Sequence, residues 1–234
     1  MRLAFIGLGS IGKPMSERLI ENGYELNLYQ RNNKNKDDKR KYFVDPIEAI
    51  TDCDGLLICV TDDNAVESVL FGENGVADSL RPNSFVIDFS TISPKKSISL
   101  HQRLIQQDIF YVDCPVSGGT EGAKNGTLSL FIGAKENECA PFANIFRIVG
   151  KSINYFDEIG NGQKVKALNQ ILVAGTYSAV AEAIKLGKLL DLPMEKVISS
   201  LQEGAANSWP LENRSHSILV DQHPLGFKLA LHYK

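Results

Sequence analysis

The sequence predicts a doubly wound, parallel α/β sheet followed by an all-helical second domain, and three observations carry that expectation. Short apolar runs alternate with helical patterns through the first two thirds of the chain, and such alternation builds parallel strands joined by right-handed helical crossovers. The first run, RLAFI at 2–6, passes directly into GLGSIG at 7–12 and then into a helical pattern, which is the strand, tight turn and helix of a dinucleotide-binding unit. From Lys164 to Leu190 no proline interrupts apolar residues spaced three and four apart. That spacing predicts one long helix of about seven turns and marks a new domain.

The elements follow in order. After the strand at 2–6, KPMSERLIEN at 13–22 has helical spacing that stops at Gly23. Further strands are expected at 25–29 (ELNLY), 55–60 (GLLICV), 84–89 (SFVIDF) and 109–114 (IFYVDC), with LSLFIGA at 128–134 as one more candidate. NNKNKDDKRK at 32–41 is expected to be a solvated loop. Beyond the long helix, LPMEKVISSLQEG reads as another, with Pro193 in its first turn and Gly204 at its end. The expected division is a Rossmann-type domain over 1–162 and a helical domain over 163–234, with no strand after the first.

Composition narrows the function classes. The apolar fraction of 43% and charged fraction of 23% are those of an ordinary soluble globular protein. A net charge of −3 argues against a nucleic-acid-binding surface, and no segment reads as a signal peptide or a bilayer span. Cys53, Cys59, Cys114 and Cys139 share no metal-ligand spacing and are expected as reduced core thiols of a cytoplasmic protein. His101, His216, His223 and His232 share no ligand or triad spacing, and no metal is expected. Trp209 and Tyr233 read as packing aromatics.

GLGSIG assigns separate tasks to its glycines. Gly7 permits the turn, Gly9 lets a pyrophosphate approach the backbone, and Gly12 allows the helix to pack closely, while the helix N-terminus favours negative charge. An NAD site usually carries a carboxylate at the end of the second strand. Tyr29, Gln30 and Arg31 stand there instead. A guanidinium cannot accept from the ribose 2′-hydroxyl but can hold a 2′-phosphate bidentately, with Lys34 and Lys36 adding positive field, so the cofactor expected is NADP.

DCPVSGGTEGAKNGTL at 113–128 places four glycines and Pro115 around Ser117. The pair Gly118-Gly119 exposes main-chain N–H donors, so a small anion, phosphate or carboxylate, is the ligand such a loop suits.

GLGSIGKPM at 7–15, DCPVSGGTEGAKNGTL at 113–128 and GNGQKVKALNQ at 160–170 occur in one order, with DFSTISP at 88–94 and QRNN at 30–33 between. Together they resemble the β-hydroxyacid dehydrogenases, a family that includes 3-hydroxyisobutyrate dehydrogenases and semialdehyde reductases. The resemblance implies that Gly7, Leu8, Gly9, Ser10, Ile11, Gly12, Gln30, Arg31, Asn32, Val60, Thr61 and Thr91 contact NADP. It implies that Ser117, Gly118, Gly119, Asn169, Gln170 and Phe227 hold a small carboxylate or aldehyde substrate. Lys166 would be the catalytic residue, stabilising and protonating the oxygen on which charge develops. Lys164 lies on another face of the same helix, since residues two apart diverge. The resemblance also implies a homo-oligomer built through the helical domain.

Two neighbouring families fit less well. Lysine helices of 6-phosphogluconate dehydrogenases read Lys-x-x-His-Asn where this chain has KALNQ, and imine reductases usually replace the lysine retained here. Family members also continue beyond Lys234, with an Asp next that helps orient the catalytic lysine. A chain ending there is expected to be a fragment or a shortened, impaired form, with apolar helix faces that favour association. A catalytically silent NADP-binding or assembly module is the competing expectation.

Overall fold

The computed structural model describes residues 1–31 and 41–222. They divide into two compact units, one ending at Lys166 and the other beginning at Ala167. In the first, β1 (Arg2–Ile6) leads to α1 (Gly12–Glu21), β2 (Glu25–Tyr29), β3 (Lys41–Phe43), α2 (Pro46–Ile50), β4 (Gly55–Ile58), α3 (Asp63–Phe71), β5 (Phe85–Asp88), α4 (Pro94–Leu104) and β6 (Phe110–Asp113). These six strands form one sheet in the order β3-β2-β1-β4-β5-β6, every pair parallel. The order reverses between β1 and β4, which is where ligands of such sheets bind.

Side chains alternate across each strand and so build a core on both faces. Leu3, Phe5, Leu57, Ile87 and Val112 pack on one face with Met15 and Leu19 of α1. Ala4, Ile6, Leu56, Ile58 and Val86 pack on the other with Val66 and Leu70 of α3 and Leu100 and Leu104 of α4. Each large apolar side chain buried this way contributes about 1.5–3 kcal/mol.

A second, three-stranded sheet extends the unit. It contains β7 (Val116–Ser117), β8 (Leu128–Ile132) and β9 (Gly150–Tyr155), with α5 (Gly119–Asn125) and α6 (Ala143–Val149) between them. β7 runs antiparallel to β8, and β8 parallel to β9. LSLFIGA therefore does form a strand, but outside the six-stranded sheet. Arg18 of α1 ties this region down: Nε donates to Ile148 O at 3.0 Å and Nη1 to Lys124 O at 3.3 Å, a cation at the carbonyl ends of α6 and α5.

α7 (Asn161–Leu189) is the long helix. It begins in the first unit and continues in the second, which adds α8 (Met194–Gln202) and α9 (Trp209–Leu219). Val180, Ile184, Ile198 and Leu211 form the second unit's small core. Leu168, Ile171, Leu172 and Leu189 of α7 are all more than 60% exposed. No described helix is long and apolar enough to cross a membrane.

Some local expectations change. Residues 32–40 lie outside the described residues, but Lys41 opens β3, because its backbone pairs with Asn27 of β2. Pro193 occupies the N-cap of α8, one position before the first turn. β4, β5 and β6 are shorter than the apolar runs that contain them.

Candidate active site

The turn after β1 sits at the point where strand order reverses. Gly7 has φ +101°, a conformation L side chains rarely adopt, and a methyl on it would lie 2.2 Å from Cys59 O and 2.9 Å from Val60 Cγ1. A methyl on Gly12 would lie 2.0 Å from Gly7 O. Both glycines are thus required by the chain's own packing. Gly9 is different: a methyl there meets nothing within 4 Å, so the protein has no need of glycine at that place. The open space lies in a turn whose glycine spacing is that of a dinucleotide-binding unit. Ser10 is exposed and Ile11 half-buried, while the side chain of Leu8 belongs to the core, so Leu8 can offer only its backbone.

The turns after β4 and β5 lie beside this one. Val60 N donates to Ser90 Oγ at 2.9 Å, and Ser90 N donates to Asp88 Oδ1 at 2.9 Å. Tyr111 OH donates to Asp88 Oδ2 at 3.1 Å. Asp88 is wholly buried, and loss of solvent pushes its carboxyl up to about 7, against the hydrogen bonds from Ser90 and Tyr111 that favour the anion. Thr61 is exposed and Thr91 half-buried.

β6 ends at Asp113, which pairs in register with Asp88. Its carboxylate receives Gly160 N at 2.7 Å and Gln163 N at 2.9 Å, satisfying N–H groups at the start of α7 that no intrahelical carbonyl can reach. Burial raises the Asp113 pKa, and those two N–H donors pull it back. Gly133 and Gly162 make room, since methyls on them would lie 2.2 Å from Asp113 Oδ1 and from Phe131 O.

Ser117 follows on β7 and is half-buried, while Gly118 and Gly119 are exposed. Gly118 has φ +131° and Gly119 φ +62°. A methyl on Gly119 meets nothing within 4 Å, so there is open space beside it.

Lys166 lies one turn beyond Gln163 on α7 and is 8% exposed, whereas Lys164 is exposed and its Nζ donates to Asn161 Oδ1 at 2.8 Å. Gln163 is itself buried. Its Oε1 accepts from Ile92 N at 3.1 Å and its Nε2 donates to Ser90 O at 2.9 Å. Asn169 and Gln170 follow in the second unit, half-buried, with Asn169 Nδ2 donating to Gln170 Oε1 at 3.0 Å.

Within the first unit, then, the structure brings together the turns bearing Gly7, Val60 and Thr91 and the buried start of α7. Gln30 is half-buried and Arg31 exposed after β2. Asn32, Lys34, Lys36, His223, Phe227, His232, Tyr233 and Lys234 lie outside the described residues. Asp88, Ser90, Asp113 and Gln163 are residues the motif reading passed over. The signal was an acid closing each of two otherwise apolar strands, FVID and FYVD.

Comparison with known proteins matches the chain to two family models that meet at residue 160. Residues 2–160 match the family described as the NAD binding domain of 6-phosphogluconate dehydrogenase. Residues 160–234 match the family described as NAD-binding of NADP-dependent 3-hydroxyisobutyrate dehydrogenase. The chain is 33% identical to the 2-hydroxy-3-oxopropionate reductase of Escherichia coli, over 100% of its own length and 81% of that protein's. It is 31% identical to the Bacillus subtilis oxidoreductase YkwC, over 96% of its length and 80% of the relative's. Among solved structures, a 3-hydroxyisobutyrate dehydrogenase from Salmonella typhimurium superposes with a TM-score of 0.83 at 25% identity, covering 94% of this chain and 79% of that one.

Proposed function

This chain belongs to the β-hydroxyacid dehydrogenase family of nicotinamide-dependent oxidoreductases, and from that premise we propose that it interconverts a small β-hydroxyacid and its semialdehyde, with NADP(H) as cofactor and Lys166 as general acid and base. The observation that carries this reading is the burial of Lys166 on a helix whose first turn is hydrogen-bonded to the cofactor-side residues Ser90 and Ile92. A surface lysine would not be held there.

The roles follow from the residues. Main-chain groups of Gly7–Gly12, with Val60, Thr61 and Thr91, would hold the cofactor. The bound nicotinamide supplies the hydride in reduction and accepts it in oxidation. The exposed backbone of Gly118 and Gly119, with Ser117, receives the substrate carboxylate. The Lys166 ammonium stands against the oxygen that gains charge, donates its proton there, and as the neutral amine takes a proton in the reverse direction. NADP is favoured because Gln30 and Arg31 follow β2 where an NAD site carries a carboxylate. A relative that acts on 2-hydroxy-3-oxopropionate at 33% identity puts that semialdehyde first among candidate substrates.

The test is NADPH oxidation with 2-hydroxy-3-oxopropionate, succinic semialdehyde and glyoxylate, and NADP+ reduction with 3-hydroxyisobutyrate. Turnover with at least one is expected, with NADPH favoured over NADH. Lys166→Ala should lower kcat by about 10²–10⁴-fold while leaving NADPH affinity unchanged. NADPH binding with no turnover on any of these compounds would instead indicate a silent binding module.

A further inference from the structure

Gln163 makes more directed contacts than its place in a helix requires. It is 2% exposed, and both ends of its side-chain amide are used, one on Ile92 N and one on Ser90 O. Those two partners flank Thr91. Ser90 in turn accepts from Val60 N through its hydroxyl. The Gln163 main-chain N–H goes to a fourth segment, donating to Asp113 Oδ2. One residue therefore fastens the start of α7 to the turn after β5, through it to the turn after β4, and to the end of β6.

The helix start packs closely on its surroundings, so a small shift on loss of this fastening is carried to the residues that follow. A methyl on Gly162 would lie 2.2 Å from Phe131 O, so the backbone there already rests on β8. Gly160 is held on Asp113 at 2.7 Å. Lys166 follows Gln163 by three residues, a rise of about 4.5 Å on the same side of the helix. An apolar side chain of similar size would fill the space of Gln163, yet would leave Ile92 N and Ser90 O without these partners. Both bonds run to the cofactor-side turn and neither to the apolar interior.

We propose that Gln163 is a positioning residue that sets Lys166 in register with the cofactor-side turns after β4 and β5. The proposal rests on the reading of Lys166 as acid and base, and it assigns Gln163 no contact with substrate. Misplacing a reacting group by about 1 Å can cost as much as 10²-fold in rate, so a loosened first turn is expected to act on the chemical step.

A double-mutant cycle between Gln163→Met and Lys166→Ala, read by single-turnover hydride transfer, tests this. Gln163→Met should lower the rate by about 10- to 100-fold while NADPH affinity changes little. It should also displace the limb of the pH–rate profile that disappears in Lys166→Ala. In the Lys166→Ala background the same change should have almost no further effect. Equal losses in both backgrounds, or a loss confined to NADPH affinity, would overturn the positioning role. So would an unchanged rate in Gln163→Met when Lys166→Ala is inactive. Full turnover in Lys166→Ala would overturn the lysine reading itself, whatever Gln163 does. Gln163→Leu likewise removes both side-chain bonds without adding charge, and it takes the methionine variant's place in the cycle if that variant does not fold.

Discussion

The turn after β1 and the loop after β7 are both rich in glycine, but they need it for different reasons. At Gly7 and Gly12 the chain leaves no space, with methyl positions 2.2 Å and 2.0 Å from main-chain oxygens. At Gly118 and Gly119 there is more room, the nearest neighbour of a methyl being Leu128 Cδ2 at 3.2 Å for Gly118, and the demand is for left-handed or unusual φ. The first turn is built around close packing, the second around backbone direction. Gly9 fits neither description, since it has open space and no left-handed φ. It is the position where neither packing nor backbone direction calls for glycine.

The supports differ too. Beneath the first turn, Val60 and Ser90 lead to Asp88, whose partners Ser90 and Tyr111 both come from the sheet region. Beneath the second, Asp113 is satisfied by main-chain N–H groups at the start of α7.

Alanine substitution in the first turn should break the comparison most sharply. Gly7→Ala and Gly12→Ala should each destabilise the protein by about 3 kcal/mol or prevent folding. Gly9→Ala should stay within about 0.5 kcal/mol of the parent yet weaken NADPH binding by at least about tenfold, equivalent to 1.4 kcal/mol. Chemical denaturation and a fluorescence titration separate the two effects. If Gly9→Ala bound NADPH as tightly as the parent, the role given to the open space would be wrong.

This contrast also shows what the sequence made legible. The GLGSIG spacing and the alternation of apolar runs with helices pointed to the sheet, the reversal point and the long helix, because each is a local, periodic signal. β3, β7 and β9 escaped notice: β3 and β7 are two or three residues long, and β9 buries only Gly150, so its sequence GKSINY shows no apolar alternation. The motif singled out Lys166, but not the long-range contacts that hold the start of its helix. Gln163 reaches Ser90 across 73 positions and Asp113 reaches Gln163 across 50. Such pairings have no local periodicity and arise only when the strand ends converge.

A pH series sharpens the difference between the two supports. Asp88 has a folded pKa of about 7 against an ordinary value of 3.8, so between those values the folded state holds a proton that the unfolded state has released. The associated stability is complete below about pH 4, declines as pH rises, and is gone above about pH 7. The Asp88→Asn side chain can still accept from Ser90 N and can donate to Tyr111 OH, and it does not titrate. The stability of the parent relative to Asp88→Asn should therefore fall across this window by up to a few kcal/mol. Urea unfolding at intervals from pH 4 to 8 measures it, and a difference independent of pH would contradict the assignment.

A smaller loss of stability than at Gly7 or Gly12 is expected at Gly119, where space is open and only conformation is at issue. An L side chain at φ +62° costs about 1–2 kcal/mol, so Gly119→Ala should fold with a modestly lower denaturation midpoint, far from the loss expected at Gly7 or Gly12. Its functional signature should also differ from that of Gly9→Ala. A methyl in that open space obstructs a substrate carboxylate, which raises KM for the semialdehyde while leaving NADPH affinity untouched. If Gly119→Ala instead weakened NADPH binding with KM unchanged, the loop would belong to the cofactor, and the two glycine turns would serve one ligand between them.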